Sequence, residues 1–352
     1  MYKRQDQIHK LNLLQILRPD IYFNKKLSDN EFFDLSKKYY QRLIDEKIIY
    51  KSENEYFLYR IDSDSHSQTG LISLLNIQDY INRNIKPHEK ILVTKGKERA
   101  DQLSKVKFQL CPIYLFYDDE NIDLNLDIHH DKKPLIKFKS GKYTHSIYRT
   151  NTDFTGINFK ELFVADGHHR IEGFAQLDVN KDTKFLSIVF PKSKCLNLAY
   201  NRSVKFPDAY NKDSFISDLK TYFHVEELKY HEMIDRFFVI YYQGKYFKID
   251  LKNDYSTNGA DCIDFGEFVL KEILNIQDET TDQRVEFVPP SLGTDYLINQ
   301  VDTGITDLST LMRPVSMDLV IEYSKNLKFM PPKATWFEPK PLDGLFFYKI
   351  IE

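Results

Sequence analysis

The chain has 352 residues, which is enough for one large domain or two of ordinary size. Hydrophobic residues make up 42% and charged residues 29%, as in globular proteins, and no apolar stretch approaches membrane-spanning length. The net charge of −3 and the lack of a long basic run argue against a broad DNA- or RNA-binding surface, although a nucleotide needs only a local cluster.

The cysteines and the first residues of the sequence bear on the compartment. Cys111, Cys195 and Cys262 lie far apart and form no zinc-ligand spacing, which is typical of buried thiols in a reducing environment. The N-terminal residues lack the apolar core of a signal peptide. We therefore expect a cytoplasmic protein.

The first part of the chain is predicted to mix helices and strands. Ser28 followed by Glu31 has the form of a capping box and predicts that a helix begins there. A short helix or turn is predicted over 76–84, a helix over 97–108, and strands over 56–60, 71–75 and 112–117. Residues 118–160 are polar and are expected to form loops with one or two edge strands.

The second part of the chain continues the mixture. Apolar runs and helical composition predict strands over 185–190 and 344–348, a hairpin over 237–251, and helices over 213–222, 265–274 and 318–324. Residues 276–310 mix turn signals with charge and are expected to be loosely ordered. The irregular alternation predicts a mixed α+β or α/β fold, with a domain boundary near 206–208.

The densest polar motif follows the apolar run 162–165. Asp166 and Gly167 form a turn, His168, His169 and Arg170 come next, and a helix is predicted over 171–177. A helix that begins after a buried strand presents amide groups and a positive dipole end, which favour an anion such as phosphate. Arg170 adds a guanidinium fork that can bind phosphate. We predict a phosphate site here; the alternative is an ordinary strand–turn–helix corner with surface histidines.

A second charged motif covers residues 86–90. Glu89 stands beside His88 and between Lys86 and Lys90, after a rigid proline. Nearby positive charge would keep its carboxylate ionised and able to accept a proton from a hydroxyl. Glu89 is therefore a candidate base, and a solvated charged loop is the alternative.

Two weaker motifs follow. Residues 330–340 place the single tryptophan between Lys333 and Lys340 among prolines, and Lys333 and Thr335 are suited to phosphate; a proline-rich surface loop is the alternative. Asn201 and Arg202 could supply another anion ligand, although a structural role is favoured.

Other patterns point to no site. His129 and His130 are interpreted as solvated rather than metal-binding, because adjacent histidines on a strand point away from each other. The sequence has no P-loop and no protein-kinase motif.

The motifs together resemble a widespread prokaryotic family of poorly annotated proteins. The resemblance rests on 164–170, on the preceding stretches 56–60, 70–80, 85–89 and 112–117, and on the C-terminal stretches 313–316 and 330–345, all in the family's order. That family is similar to free L-serine kinases with the ParB/sulfiredoxin-like fold, which share the Asp-Gly-His-His-Arg box. The resemblance implies that residues 166–170, called the box below, hold nucleotide phosphates, and that an upstream glutamate, best matched by Glu89, acts on the serine hydroxyl.

The residue patterns and the resemblance together predict a small-molecule kinase that uses ATP or ADP with Mg²⁺, with a nucleotide and a small-molecule substrate as its partners and no nucleic acid or membrane. No residue is assigned as a metal ligand. The predicted site comprises catalytic Glu89, Asp166 and His168, nucleotide-binding Gly167, His169, Arg170, Lys333, Thr335, Asn201 and Arg202, and substrate-binding His88 and Lys86. The predicted organisation is a ParB/sulfiredoxin-like core over 1–206, an accessory α+β region over 207–310, and a C-terminal segment over 311–352 that returns to the site.

Two rival functions are compared with the kinase. ParB-like folds also bind CTP as regulators, so a nucleotide sensor without turnover is the alternative; nothing in the sequence resembles a helix-turn-helix. A sulfiredoxin-type repair enzyme needs a reactive cysteine in the box, and the box has none.

Overall fold

The structure is a computed structural model, and it describes residues 14–49, 52, 55–90, 93–122, 124, 133–177, 182–229, 237–255 and 259–350. These residues form two compact units. The first unit draws its described residues from Met1–Lys86, Ile91–Lys194 and Lys340–Glu352, and the second from Pro87–Lys90 and Cys195–Pro339.

The strands of the two units are numbered in chain order. They are β1 Tyr56–Asp62, β2 Ser67–Asn76, β3 Ile85–Lys86, β4 Phe108–Gln109, β5 Ile113–Tyr117, β6 Ile136–Ser140, β7 Tyr143–Thr150, β8 Leu162–Asp166, β9 Lys184–Pro191, β10 Leu196–Leu198, β11 Asn201–Val204, β12 Phe223–Leu228, β13 Val239–Tyr242, β14 Lys245–Leu251, β15 Val285–Val288, β16 Leu308–Leu311, β17 Trp336–Glu338 and β18 Tyr348–Lys349.

The α-helices are numbered in the same way. They are α1 Leu14–Leu17, α2 Pro19–Tyr22, α3 Asp29–Asp45, α4 Ile77–Ile81, α5 Val93–Val106, α6 His168–Ala175, α7 Phe215–Tyr222, α8 Asp261–Asp264, α9 Gly293–Asp302 and α10 Met317–Lys325. A π-helix covers Phe265–Ile273, and short 3₁₀ turns cover Lys192–Lys194, Lys212–Ser214 and Pro290–Leu292.

The first unit is built on an eight-stranded sheet in the order β3-β8-β5-β9-β2-β1-β7-β6. β5 runs parallel to β9 and antiparallel to β8, and β8 lies between β5 and the two-residue edge strand β3, so the box at the end of β8 lies near one edge of this sheet. All five residues of β5 are buried, as are Val164 of β8 and Ile171 and Phe174 of α6. This packing fixes the corner between β8 and α6 from both sides.

Several local predictions for this unit are confirmed. Ser28 caps α3, with its hydroxyl accepting from the Glu31 amide while the Glu31 carboxylate accepts from the Ser28 amide. The predicted strands over 56–60, 71–75 and 112–117 correspond to β1, β2 and β5. These elements could be recognised because short-range caps and apolar runs determine them.

The second unit is built on a six-stranded sheet in the order β12-β14-β13-β16-β11-β15. The predicted hairpin is confirmed as β13 and β14, joined by Gln243 and Gly244 with positive φ angles of 48° and 74°. The expectation of loose order over 276–310 is wrong, because β15, α9 and β16 lie there. Val285, Val288 and Leu308 are buried, and this tertiary packing outweighs the local turn signals.

Two predictions near the C-terminus are also corrected. The predicted strand over 344–348 is wrong, since only Tyr348–Lys349 pairs, with β4 of the same unit. Strand pairing is found instead at Trp336–Glu338, within the proline-rich motif, where β17 pairs with β10. The helix predicted over 265–274 is present, but with π-helical bonding.

The boundaries between the two units differ from the predicted domain boundary. The structure divides the chain after Lys194 and again after Pro339, while 206–208 lies inside the second unit. The reason is that β11, just before the predicted boundary, pairs with β15 and β16. Residues 340–350 belong with the first unit, because Ile350 packs into its core and β18 pairs with β4.

The histidine pair His129 and His130 lies outside the described residues. Within the residues that are described, none of the helices combines the length and apolar composition needed to cross a membrane.

Candidate functional site

The corner between β8 and α6 has a backbone geometry that favours glycine. Gly167 has φ +103° and ψ 22°, in the left-handed region, and its carbonyl accepts from the amides of Arg170 at 2.9 Å and Ile171 at 3.0 Å. A Cβ atom at Gly167 would lie 3.1 Å from Arg170 Nε and 3.2 Å from Ile113 Cδ1. The chain therefore turns from strand into helix within one residue and keeps the guanidinium of Arg170 close to the turn.

Four charged side chains follow one another at this corner. Arg170 Nη2 donates to Asp166 Oδ2 at 2.5 Å, and Lys340 Nζ donates to the other oxygen of the same carboxylate. Arg170 Nη1 lies 3.5 Å from Asp343 Oδ1. We call this series of ion pairs, from Lys340 through Asp166 and Arg170 to Asp343, the charge chain.

The charge chain sets the protonation of its members. Burial alone would raise the pKa of Asp166, but the charges of Arg170 and Lys340 outweigh it and lower that pKa to about 2. Burial works against the charge of Arg170, but the Asp166 carboxylate outweighs it and raises the pKa of the guanidinium. Both side chains are therefore ionised near neutral pH.

A small cavity in the first unit borders the charge chain. Its volume is about 70 Å³, room for about two water molecules. It is lined by Ile16, Arg99, Gln102, Leu103, Val106, Phe108, Gln109, Leu110, Cys111, Arg170 and Phe174. Burial, with a contribution from Asp343, raises the pKa of the Cys111 thiol to about 12, so this thiol is not a nucleophile at neutral pH.

The two histidines of the box begin α6. His168 is buried, with 6% of its surface exposed, and its charge is one of those that favour the ionised form of Asp166. His169 is half-buried on the same first turn. Both imidazoles therefore lie in the first turn of α6, at the positive end of its dipole, and the helix begins three residues before the predicted 171–177.

The predicted base and the C-terminal motif come together in the second unit. His88, with 1% exposed surface, has Nε2 2.9 Å from Thr335 Oγ1, and its carbonyl accepts from the Met330 amide at 2.8 Å. Glu89 forms a parallel bridge with Met330. Lys86 belongs to the first unit, where its Nζ lies 3.0 Å from Glu161 Oε1.

A family model described as "Protein of unknown function (DUF1015)" matches residues 2–277. The chain belongs to the DUF1015 family. No curated protein matches its sequence.

Solved structures similar to this DUF1015 protein share little sequence with it. A point mutant of a free serine kinase in complex with ADP is 13% identical, with a TM-score of 0.42 and coverage of 78% of this chain and 91% of the kinase. A conserved hypothetical protein from Pyrococcus furiosus is 14% identical, with a TM-score of 0.41 and coverage of 77% and 93%. SbnI with a C-terminal truncation, from Staphylococcus aureus, is 13% identical, with a TM-score of 0.43 and coverage of 77% and 85%.

The contacts of Arg202 in the DUF1015 protein indicate a structural role. It is fully buried, its Nε donates to Glu279 Oε2 at 3.0 Å, and its guanidinium lies 4.4 Å from the centre of the Phe287 ring. Its other nitrogens donate to the carbonyls of Tyr200, Pro332 and Lys333 at 3.1–3.4 Å. These contacts fix the backbone of the C-terminal motif at residues 332 and 333.

The neighbours of Arg202 in the predicted site have different environments. Asn201 Oδ1 accepts from the Met312 amide at 2.8 Å, which is a structural bond. Lys333 Nζ lies 5.4 Å from the centre of the Tyr200 ring, and the backbone of Lys333 has φ +56°. Lys333 therefore keeps an ammonium group near an aromatic face, where it could also reach an anion.

The predicted site residues thus form two clusters. The box lies in the first unit, whereas His88, Glu89, Lys333 and Thr335 lie in the second. Sequence reasoning missed Lys340, Asp343 and Cys111 beside the box. Lys340 stood at the end of the C-terminal motif, but its partner Asp166 is 174 positions away, and no local spacing indicates that pair.

Structural metal ions in proteins are usually held by several His, Cys, Asp or Glu side chains that surround one point. In the part of the chain that the structure describes, no three His, Cys, Asp or Glu side chains gather around one point.

Proposed function

We propose that this DUF1015 protein is a small-molecule kinase with a ParB/sulfiredoxin-like core. It transfers a phosphoryl group from ATP or ADP to the hydroxyl of a free amino acid, with L-serine as the leading acceptor. The observation that carries the proposal is the box: β8 ends at Asp166, Gly167 turns the chain at φ +103°, and α6 begins with two histidines and Arg170.

This corner combines the features that bind a polyphosphate. The N-terminus of α6 contributes the positive end of its dipole and backbone amides. Arg170 adds a guanidinium group beside it. Phosphoryl transfer depends mainly on positioning and on stabilising negative charge, and both are within the reach of these groups.

A divalent cation fits this proposal in a limited way. Mg²⁺ usually binds one or two carboxylates together with the phosphates of its nucleotide, and Asp166 supplies one carboxylate beside Arg170. When bound, the cation would neutralise phosphate charge. Arg170 would do the same from the protein side, and His169 and Gly167 would contact phosphate oxygens.

We assign the acceptor chemistry to residues of the charged motif 86–90. The Glu89 carboxylate would take the proton of the acceptor hydroxyl, which is a general-base role. His88 and Lys86 would bind the acceptor, and Thr335, held by His88, would contact phosphate together with Lys333. His168 would orient the Asp166 carboxylate.

The test separates nucleotide binding from turnover. The purified protein is incubated with ATP or ADP, Mg²⁺ and a pool of free amino acids, and phosphorylated products are sought by mass spectrometry; nucleotide binding is measured by calorimetry. We expect Glu89→Gln to lower the rate about 10²–10³-fold while keeping nucleotide binding, and Arg170→Ala to lower both.

Matched controls come from exposed ion pairs. Glu227→Gln removes a carboxylate that pairs with Lys245, and Arg42→Ala removes a guanidinium that pairs with Glu46. Neither substitution should change the rate of phosphorylation or the affinity for nucleotide. Nucleotide binding without any phosphorylated product would favour the sensor function instead. Neither binding nor product, in a folded protein, would contradict both functions.

A further inference from the structure

We propose that Lys340 is a further cation of the phosphate site and that Asp343 is the carboxylate which a bound phosphate displaces from Arg170. This inference rests on the proposed function, because it assumes that the box binds a polyphosphate. It concerns two residues outside the box, both within the first unit.

The environment of Lys340 supports its role. Its ammonium group pairs with Asp166 at the end of β8, and its side chain is 40% exposed. A lysine is a flexible point charge, so a partly exposed ammonium can move from a carboxylate to a nearby phosphate at low cost. Lys340 is therefore placed to add positive charge when a polyphosphate occupies the corner.

Of the two carboxylates that pair with Arg170, Asp343 makes the longer contact. Its carboxylate lies 3.5 Å from Arg170 Nη1, whereas Asp166 lies 2.5 Å from Arg170 Nη2. Asp343 is also the more exposed of the two carboxylates, at 36% against 28%. A phosphate competes for the same guanidinium with more charge and more acceptor oxygens, so it would replace Asp343 before Asp166.

The backbone that carries both residues is fixed. The Leu342 amide donates to the hydroxyl oxygen of Tyr59 at 3.3 Å, and the Gly344 amide donates to the Leu110 carbonyl at 2.8 Å. Lys340 and Asp343 stand on either side of Leu342. An exchange of partners would therefore need side-chain rotation only, which keeps its entropic cost small.

The two residues should have opposite effects on binding. We measure the affinity of the full chain for ADP and for inorganic tripolyphosphate by calorimetry. Lys340→Met should weaken both about tenfold, because a charged contact is lost, and Lys340→Arg should restore most of the affinity. Asp343→Asn should tighten both about threefold or more, because it removes a competing anion.

The control pair has the same chemistry at the other end of β5. Lys192 Nζ lies 3.1 Å from Asp118 Oδ2, with 26% and 37% of the side chains exposed. Lys192→Met and Asp118→Asn should leave both affinities unchanged. Thermal unfolding of every variant shows whether it is folded.

The outcomes distinguish this inference from the proposed function. In one outcome, the wild-type protein binds ADP while Lys340→Met leaves the affinity unchanged or Asp343→Asn weakens it. Either result would overturn the inference but would not contradict the proposed function. A folded wild-type protein that binds neither ADP nor tripolyphosphate would overturn both.

Discussion

The hydroxyl oxygen of Tyr59 lies 2.7 Å from Nδ1 of His145, and both side chains are buried. Burial lowers the pKa of His145, which favours the neutral imidazole. A neutral Nδ1 can accept from the Tyr59 hydroxyl while the oxygen of that hydroxyl accepts from the Leu342 amide. One tyrosine thus joins two strands of the large sheet to the segment that carries Lys340 and Asp343.

Removing that hydroxyl should destabilise the protein. Tyr59→Phe leaves a buried imidazole nitrogen and a backbone amide without this partner, which costs about 1–3 kcal/mol. The free energy of unfolding in urea measures the loss. Tyr56→Phe, on the same strand but partly exposed, is the control and should change stability by less. Equal values for the two variants would contradict the role given to the Tyr59 hydroxyl.

A side chain at Gly167 should be costly for two reasons. Gly167→Ala would strain the backbone at φ +103° and bring Cβ within 3.1 Å of Arg170 Nε, so we expect a loss of about 2–3 kcal/mol. Gly141→Ala is the matched control, because Gly141 also has positive φ, +57°, but its Cβ would meet nothing within 4 Å. It should cost only about 1–2 kcal/mol. Thermal unfolding compares them, and a smaller loss at Gly167 would contradict the close packing of the corner.

The low pKa of Asp166 predicts a dependence of stability on pH. The folded pKa, about 2, lies below the ordinary value of 3.8, so the ionised carboxylate stabilises the folded state above pH 4. That contribution, about 2 kcal/mol, is lost as the pH falls from 4 to 2. Unfolding in urea at pH 5 and pH 2.5 should show a smaller loss for Asp166→Asn than for wild type. Identical losses would mean that the ion pairs of Asp166 contribute nothing.

Arg202 should prove to be structural. Arg202→Met leaves the largely buried Glu279 without its cation, and breaking a buried pair typically costs about 3–5 kcal/mol. Arg284→Met, in a more exposed pair with Asp282, should cost less than about 1 kcal/mol. We expect ADP affinity to be unchanged wherever Arg202→Met remains folded. Loss of affinity in a folded variant would return Arg202 to the phosphate site.

The sequence predicted what short-range patterns determine. The Ser28 capping box, the Gln243-Gly244 hairpin and the strand before the box each depend on a few neighbouring residues. It failed over 276–310, where four-residue strands become stable only by pairing with β11 and β13. The charge chain could not be predicted for the same reason, because Lys340 and Asp166 lie 174 positions apart in the sequence and pair only in the folded protein.

The discontinuity of the first unit has a consequence for protein synthesis. The ribosome makes the box, then the whole of Cys195–Pro339, and only afterwards the residues from 340 onward that contribute Lys340, Asp343 and β18. A nascent chain that ends at Pro339 would carry Arg170 without Asp343 and Asp166 without its lysine. Completion of this corner must therefore come after translation of the second unit.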